Sequence, residues 1–282
     1  DPPSSFWRTW SEVYNKEAFH GAGQLMQLEL SPGTELSTFR ARFLEPDVFR
    51  THLRPISFDV DLIKRVRLFE THDEDRFTQS FELGRKFTHD TWGSIGFMNT
   101  ILEVDDLESD APPGLQAQAR LGEHDFQTLT LSMTTRSLDN VYLPRKGYSA
   151  TFSTGITDDV LGGEFEMIEN ELRTSFYLPA FEKADGTQPV WHFELNAGVT
   201  HPHDDTDMVP FSERYFLGGT RSLRGFDFRE VGPFYQQPSQ SLPSQRRPGE
   251  ALGGETYVAG TFEFRYPLHS VVQPGTYQRL ES

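Results

Sequence analysis

Apolar and polar residues alternate along most of this chain with a period of two. From Trp191, the apolar set Trp191, Phe193, Leu195, Ala197 and Val199 interleaves with His192, Glu194 and Asn196. From Val258, the set Val258, Phe262, Phe264 and Tyr266 interleaves with Thr261, Glu263 and Arg265. Ile56, Phe58, Val60 and Leu62 oppose Ser57, Asp59 and Asp61, while Ile168, Leu172, Phe176 and Leu178 oppose Glu169, Glu171, Arg173 and Ser175. Successive side chains of an extended strand point to opposite faces, so this period predicts strands that are bulky on one side and ionised on the other. Further strands are predicted near Arg8–Val13, Gln24–Leu30, Leu36–Leu44, Phe77–Lys86, Trp92–Leu102, Phe126–Thr135 and Gly147–Ile156. The set makes about eleven strands in a simple up-and-down succession, an all-β antiparallel fold.

Turn signals separate the strands at Ser31-Pro32-Gly33-Thr34, Ala111 to Gly114, Pro144-Arg145-Lys146-Gly147 and Asp185-Gly186. No helix of ordinary length and no domain boundary is predicted. The segment Ser239 to Gly249, rich in Pro, Ser and Gln, reads as the exposed return limb of a long loop, with local disorder expected there.

Ionised and apolar faces back to back fit either a solvated antiparallel sheet or a barrel with a wet lumen. Composition leans toward the second. Of 282 residues, 36% are hydrophobic and the mean hydropathy is -0.54, values that suit a polar soluble protein and also a barrel in which only alternate residues face lipid. No apolar run approaches the length of a membrane-spanning helix. Aromatics reach 13%, with 24 Phe, an excess that interfacial girdles and a lipid-facing band would use. A net charge of -16 leaves no basic field for phosphates, so nucleic acid is not an expected partner. The acids cluster in His72-Asp73-Glu74-Asp75, Glu103 to Asp110 and His203-Asp204-Asp205, read as solvated loops; a divalent-cation bridge to lipopolysaccharide is the alternative. The absence of cysteine removes disulfides and thiol catalysis. The chain starts at Asp1-Pro2-Pro3 with no apolar signal segment, which reads as a mature or excised piece.

Phe211 to Pro233, FSERYFLGGTRSLRGFDFREVGP, carries the most specific signal. Gly218 and Gly219 supply conformations that a folded-back loop needs, and Leu223-Arg224-Gly225-Phe226 presents a cation between apolar shoulders. A guanidinium so flanked is suited to burial and predicts an acidic partner elsewhere in the chain. The loop resembles that of the BamA-like superfamily of outer-membrane insertases and translocation pores, usually Val-Arg-Gly-Phe or Val-Arg-Gly-Tyr, with Leu223 here in place of Val. Four further matches follow the family's order. Ala18 to Gly23 resembles its "aromatic, x, Gly, x, Gly" turn. Phe43 to Phe49 resembles a "Pro-aromatic-Phe" strand end, with Val48 at the first aromatic. Leu138-Asp139-Asn140 to Gly147 resembles the "Asp-x-x-x-x-Pro-x-x-Gly" periplasmic turn, and Thr261 to Leu268 the strand after the long loop.

The resemblance implies a transmembrane barrel of sixteen strands, integral to the outer membrane, of which this chain holds about eleven. It also implies a loop, at about 201–254, that folds into the lumen, with Arg224 paired to Glu263 on the following strand. The alternation independently places Glu263 on the polar face, between Phe262 and Phe264. Periplasmic POTRA repeats, the first strand, the last four strands and the terminal aromatic of such barrels are not seen, so the chain is expected to be an internal stretch of a longer protein. The family's activity is assembly of nascent outer-membrane proteins without nucleotide hydrolysis, alongside accessory periplasmic lipoproteins, lipid and lipopolysaccharide. A weakly sealed seam there pairs with an incoming strand and thins the membrane. A secretion pore of the two-partner or TamA type is the rival, separated by the number of upstream repeats. A soluble all-β binding or structural protein is the second rival, separated by solubility without detergent.

No nucleophile elbow, Walker loop or His-Glu-x-x-His element occurs, and Gly21 and Gly23 lack the rest of a dinucleotide fingerprint. His201-x-His203-Asp204-Asp205 has metal-ligand types but lies in a hydrophilic junction between strand and loop, so no metal is expected. Glu169, Glu171 and Glu194 read as solvated lumen carboxylates and not as a glycosidase pair. No enzyme activity and no cofactor are expected.

Overall fold

The computed structural model describes residues 23–50, 55–69, 71–108, 111–181, 188–220, 222–235 and 251–267. Within them lie ten strands: β1 (Leu25–Ser31), β2 (Leu36–Glu45), β3 (Ile56–Leu68), β4 (Asp73–Lys86), β5 (Thr91–Asp105), β6 (His124–Leu138), β7 (Gly147–Thr157), β8 (Met167–Pro179), β9 (Val190–Pro202) and β10 (Thr256–Arg265). They form one antiparallel sheet in chain order, up and down, with β1 and β10 at its edges. The strand expected at Arg8–Val13 and the turn residues Ala18–Ala22 and Asp185-Gly186 lie outside the described residues, as do Ser239–Gly249 and Leu268.

Register fixes the two faces, because residues paired across an antiparallel ladder share a side. One cross-sheet row runs Met26, Phe43, Val60, Phe81, Phe97, Leu129, Ile156, Ile168. The row one residue along runs Arg42, Asp61, Ser80, Met98, Thr128, Thr157. Among the described residues nothing covers the apolar face: Leu28, Phe81, Leu131, Phe152, Phe193 and Phe262 are all exposed large side chains. A soluble monomer rarely presents so continuous an apolar surface, whereas a barrel wall presents it to lipid. On the polar face, Arg40 pairs with Asp61 and Arg42 with Asp59 between β2 and β3.

At one end of the sheet the polar face carries a small core. Leu102 and Val104 of β5, Phe126 of β6 and Met167 of β8 pack with Ala111 and Leu115, and with Val209 and Phe211 of the β9–β10 loop. Leu115 sits on a helix, α1 (Pro113–Leu121), within the β5–β6 connection. This corrects the expectation of no helix, which took Ala111 to Gly114 for a turn. Proline is well tolerated in a first helical turn, and Gly122, at φ 88°, ends the helix. Leu115, Gln118 and Ala119 form one face at helical spacing, too short a run to register as periodic in the sequence.

Parts of two acidic clusters are likewise not loops, although Asp106 to Glu108 do lie beyond the end of β5. Asp73, Glu74 and Asp75 open β4, and Glu103 and Asp105 close β5. Glu74 is buried on the inner face. Alternation fails as a signal where a strand rises past the apolar band and both faces become polar.

Candidate functional site

Of the β9–β10 connection, the described residues 203–220, 222–235 and 251–255 lie over the polar face of the sheet. Its outgoing and return limbs are laced together. Tyr215 and Gly254 exchange both backbone hydrogen bonds, at 2.8 and 2.9 Å, and isolated bridges join Leu217 to Val231 and Phe234 to Ala251. The Gly-Gly turn is sterically required: at Gly218, φ 117°, an added Cβ would sit 2.2 Å from the Asp227 carbonyl oxygen. The Ser222 hydroxyl accepts from the Gly218 amide at 2.8 Å, and the Gly219 amide donates to the Phe226 carbonyl at 2.9 Å. Leu223 is half-buried within this turn, Gly225 has φ 95°, and Phe226 is exposed.

The Arg224 guanidinium contacts the Glu263 carboxylate, and the same carboxylate meets Arg265 at 3.0 Å and His192 Nδ1 at 3.2 Å. His192 is buried and stacked on Tyr177, with ring centroids 4.5 Å apart. Arg224 itself is 65% exposed, so the expectation of a buried cation does not hold at this position. Its apolar shoulders do not enclose it, because Phe226 turns outward.

The buried cations of the site are others. Arg229 is 17% exposed and reaches Glu74 of β4 at 3.3 Å, with its guanidinium 4.1 Å from the Phe216 ring and 4.5 Å from the Phe69 ring. Arg76 of β4 pairs with Glu213 at 2.9 Å and donates to the Ser212 carbonyl at 3.3 Å. The Gln118 side chain donates to the Ser212 hydroxyl at 2.8 Å and accepts the Ser212 amide at 3.2 Å, so α1 also grips the loop. The Tyr215 hydroxyl donates to Glu169 at 2.8 Å; burial and the neighbouring carboxylates push its phenol up. The sequence reading missed Arg229, Arg76 and Gln118. The available signal was a second Arg five residues past Arg224, following Phe226 and Phe228.

Between the loop and β8–β10 lies a cavity of about 610 Å³, lined by Arg173, Glu194, Asn196, Tyr215, Arg224 and Glu263 among others. Glu171 is paired with Arg173 at 2.6 Å and Glu194 accepts from Asn196 at 2.6 Å, so with Glu169 all three lumen carboxylates have partners. Of the four candidate metal-ligand positions, His201 pairs with Ile168 on the apolar face and is turned away, while His203 and Asp204 approach Glu166. At the opposite end, Asp139 accepts the Arg145 and Lys146 amides at 2.9 and 3.1 Å. Gly147 adopts φ 117°, where a Cβ would sit 1.9 Å from the Ser137 oxygen. The family turn thus has a steric and hydrogen-bonding basis.

An up-and-down antiparallel sheet, apolar outward and loop-braced on its polar face, has the architecture of a transmembrane β-barrel wall. Residues 19–277 match the Omp85 superfamily domain, and the chain belongs to that superfamily. It is 24% identical over 179 residues to outer membrane protein assembly factor BamA of Neorickettsia risticii (strain Illinois), covering 64% of this chain and 21% of the relative. It is 26% identical over 141 residues to the sorting and assembly machinery component 50 homolog of Mus musculus, covering 50% and 26%. The crystal structure of BamA from Haemophilus ducreyi lacking POTRA domains 1-3 superposes with a TM-score of 0.68 at 19% identity, over 88% of this chain and 49% of that one. This likeness establishes the fold. The chain spans about a quarter or less of each curated relative's length.

Proposed function

We propose that the protein helps β-barrel proteins fold and insert into the bacterial outer membrane, acting as a scaffold and not as an enzyme, without nucleotide hydrolysis. The observation that carries this reading is Omp85 membership combined with an uncovered apolar face and a braced polar face. In this reading the protein is integral to the outer membrane, with lipid and lipopolysaccharide against the apolar face. Its clients are nascent outer-membrane proteins, and accessory periplasmic lipoproteins act with it. The names of both curated relatives speak of assembly, which favours this over a secretion pore of the same superfamily. The long loop is then structural: Arg224 with Glu263, and Arg229 with Glu74, hold it against the wall.

The test is reconstitution of the full-length protein into phospholipid vesicles, with a urea-unfolded barrel client added and its folding followed over time. Folding should be faster than with empty vesicles. No acceleration defeats the assembly reading, and passage of a non-barrel polypeptide in its place supports the pore. Recovery of the protein in a detergent-free soluble fraction defeats the membrane reading altogether.

A further inference from the structure

His124 opens β6 and is fully buried, yet both of its ring nitrogens face oxygens. Nε2 lies 2.9 Å from the Gln118 carbonyl oxygen of α1, and Nδ1 lies 3.2 Å from the Glu164 carboxylate in the β7–β8 connection. A carbonyl and an ionised carboxylate only accept hydrogen bonds, so each nitrogen must donate. A neutral imidazole carries one N–H and would turn a lone pair toward one of the two oxygens. The doubly protonated ring satisfies both. His72 marks the contrast: its Nε2 faces Glu74 at 3.4 Å, but its Nδ1 faces the Thr71 hydroxyl at 3.0 Å. A hydroxyl can donate, so a neutral ring serves those two contacts.

Glu164 is the charged group that meets the ring. β5 faces it with Leu102, and the Phe126 and Phe165 rings stand 6.5 and 5.4 Å away between centroids. Arg120 and Glu123 are exposed, while Asp125 and, on β5, Glu103 belong to the opposite face of the sheet. Asp158, Asp159 and Glu166, on the same connection as Glu164, cluster with one another. Among the described residues no Lys or Arg pairs with Glu164. Gln118 is one of the last four residues of α1, where carbonyls lack partners within the helix and a cation is favoured. Its side chain also grips the long loop through the two hydrogen bonds to Ser212. One residue thus joins the buried imidazole to the loop.

We propose that His124 is a proton-operated latch on the long loop. As an imidazolium it ties α1 to the β7–β8 connection and steadies the grip of α1 on Ser212. As a neutral imidazole it lets go of Glu164, and the grip slackens. The contact is complete where both ring nitrogens carry protons and is lost as pH rises through deprotonation of the ring.

Hydrogen exchange of the full-length protein in detergent micelles, at about pH 5.5 and about pH 8, brackets the ordinary histidine range and tests this. With rates corrected for the intrinsic effect of pH, protection of the Ser212 amide should fall at least about tenfold at the higher pH, the worth of a hydrogen bond to a charged group. Glu164→Gln, an exposed position, should keep protection at both pH values, because an amide side chain can donate to Nδ1 or accept from it. That substitution leaves His72 and Glu74 untouched, so a dependence that survives it arises elsewhere and overturns the proposal. Nitrogen NMR of the ring signals that His124→Asn removes should show two N–H groups at the lower pH. Equal wild-type protection at the two pH values, or a neutral His124 ring at the lower one, would also overturn it.

Discussion

Arg229 of the long loop meets Glu74 of β4 at 3.3 Å, with the guanidinium close to both the Phe69 and the Phe216 ring. Removing one partner of a buried ion pair strands the other and costs about 3–5 kcal/mol, whereas a largely exposed pair contributes about 1 kcal/mol or less. Arg229→Ala should therefore lower the unfolding temperature and open the loop to protease, while Arg224→Ala leaves both near wild type. Equal losses from the two substitutions would refute this ranking.

Glu263 matters more than the cation that first draws attention to it. It serves Arg224, Arg265 and His192 at once, so Glu263→Gln should destabilise more than Arg224→Gln. Exchanging the charges of Arg224 and Glu263 should restore stability only in part, because a new Arg at 263 faces Arg265 and His192. Thermal unfolding of the two single variants and the exchange measures this; full recovery in the exchange would show that the other two contacts carry little.

Gln118 and Ser212 are both buried and share two hydrogen bonds between α1 and the loop. Gln118→Leu leaves the Ser212 amide and hydroxyl without these partners, at a cost of about 1–3 kcal/mol. Hydrogen exchange at the Ser212 amide should accelerate. Unchanged protection there would mean that α1 does not hold the loop.

The β6–β7 turn should respond to acid in a defined direction. Hydrogen bonds from the Arg145 and Lys146 amides hold the Asp139 carboxyl below the usual carboxylate range. A lowered folded-state value means that the contribution is complete above the ordinary range of about 3.9 and is lost as pH falls through the lowered value. The turn should therefore keep its order in mild acid and lose it only below that range, and Asp139→Asn should abolish the dependence. Amide shifts of Arg145 and Lys146 followed against pH report it, and titration at or above the ordinary value would contradict the geometry.

Much of the wall was legible because a period of two over nine or more residues has a single structural meaning. Trp191 to Val199 and Val258 to Tyr266 named their own faces, and Glu263 fell on the polar one. Elsewhere local pattern and tertiary placement diverged. Asp73 to Asp75 looked like a loop because strand rims are polar on both sides, and α1 was hidden behind Pro112-Pro113-Gly114. In the loop, flanking residues suggested which Arg would be buried, yet burial depends on what the wall presents. Phe69 and Glu74 present an aromatic and acidic seat to Arg229, and the neighbouring Phe226 and Phe228 hint at an apolar setting for that Arg without naming the carboxylate it meets.

The loop's two cationic anchors also set a length. Arg224 reaches β10 and Arg229 reaches β4, and in the sheet five strands, β5 to β9, separate those two. Five residues of chain extend at most about 18 Å. The segment from Arg224 to Arg229, folded in turns, is therefore a short chord across a long arc, and with two arginine side chains it limits how far apart the ends of that arc can stand. Curvature of the wall becomes a quantity the loop limits from inside, chiefly through the buried Arg229–Glu74 anchor, whose release lets the arc relax toward the twist its strands prefer alone.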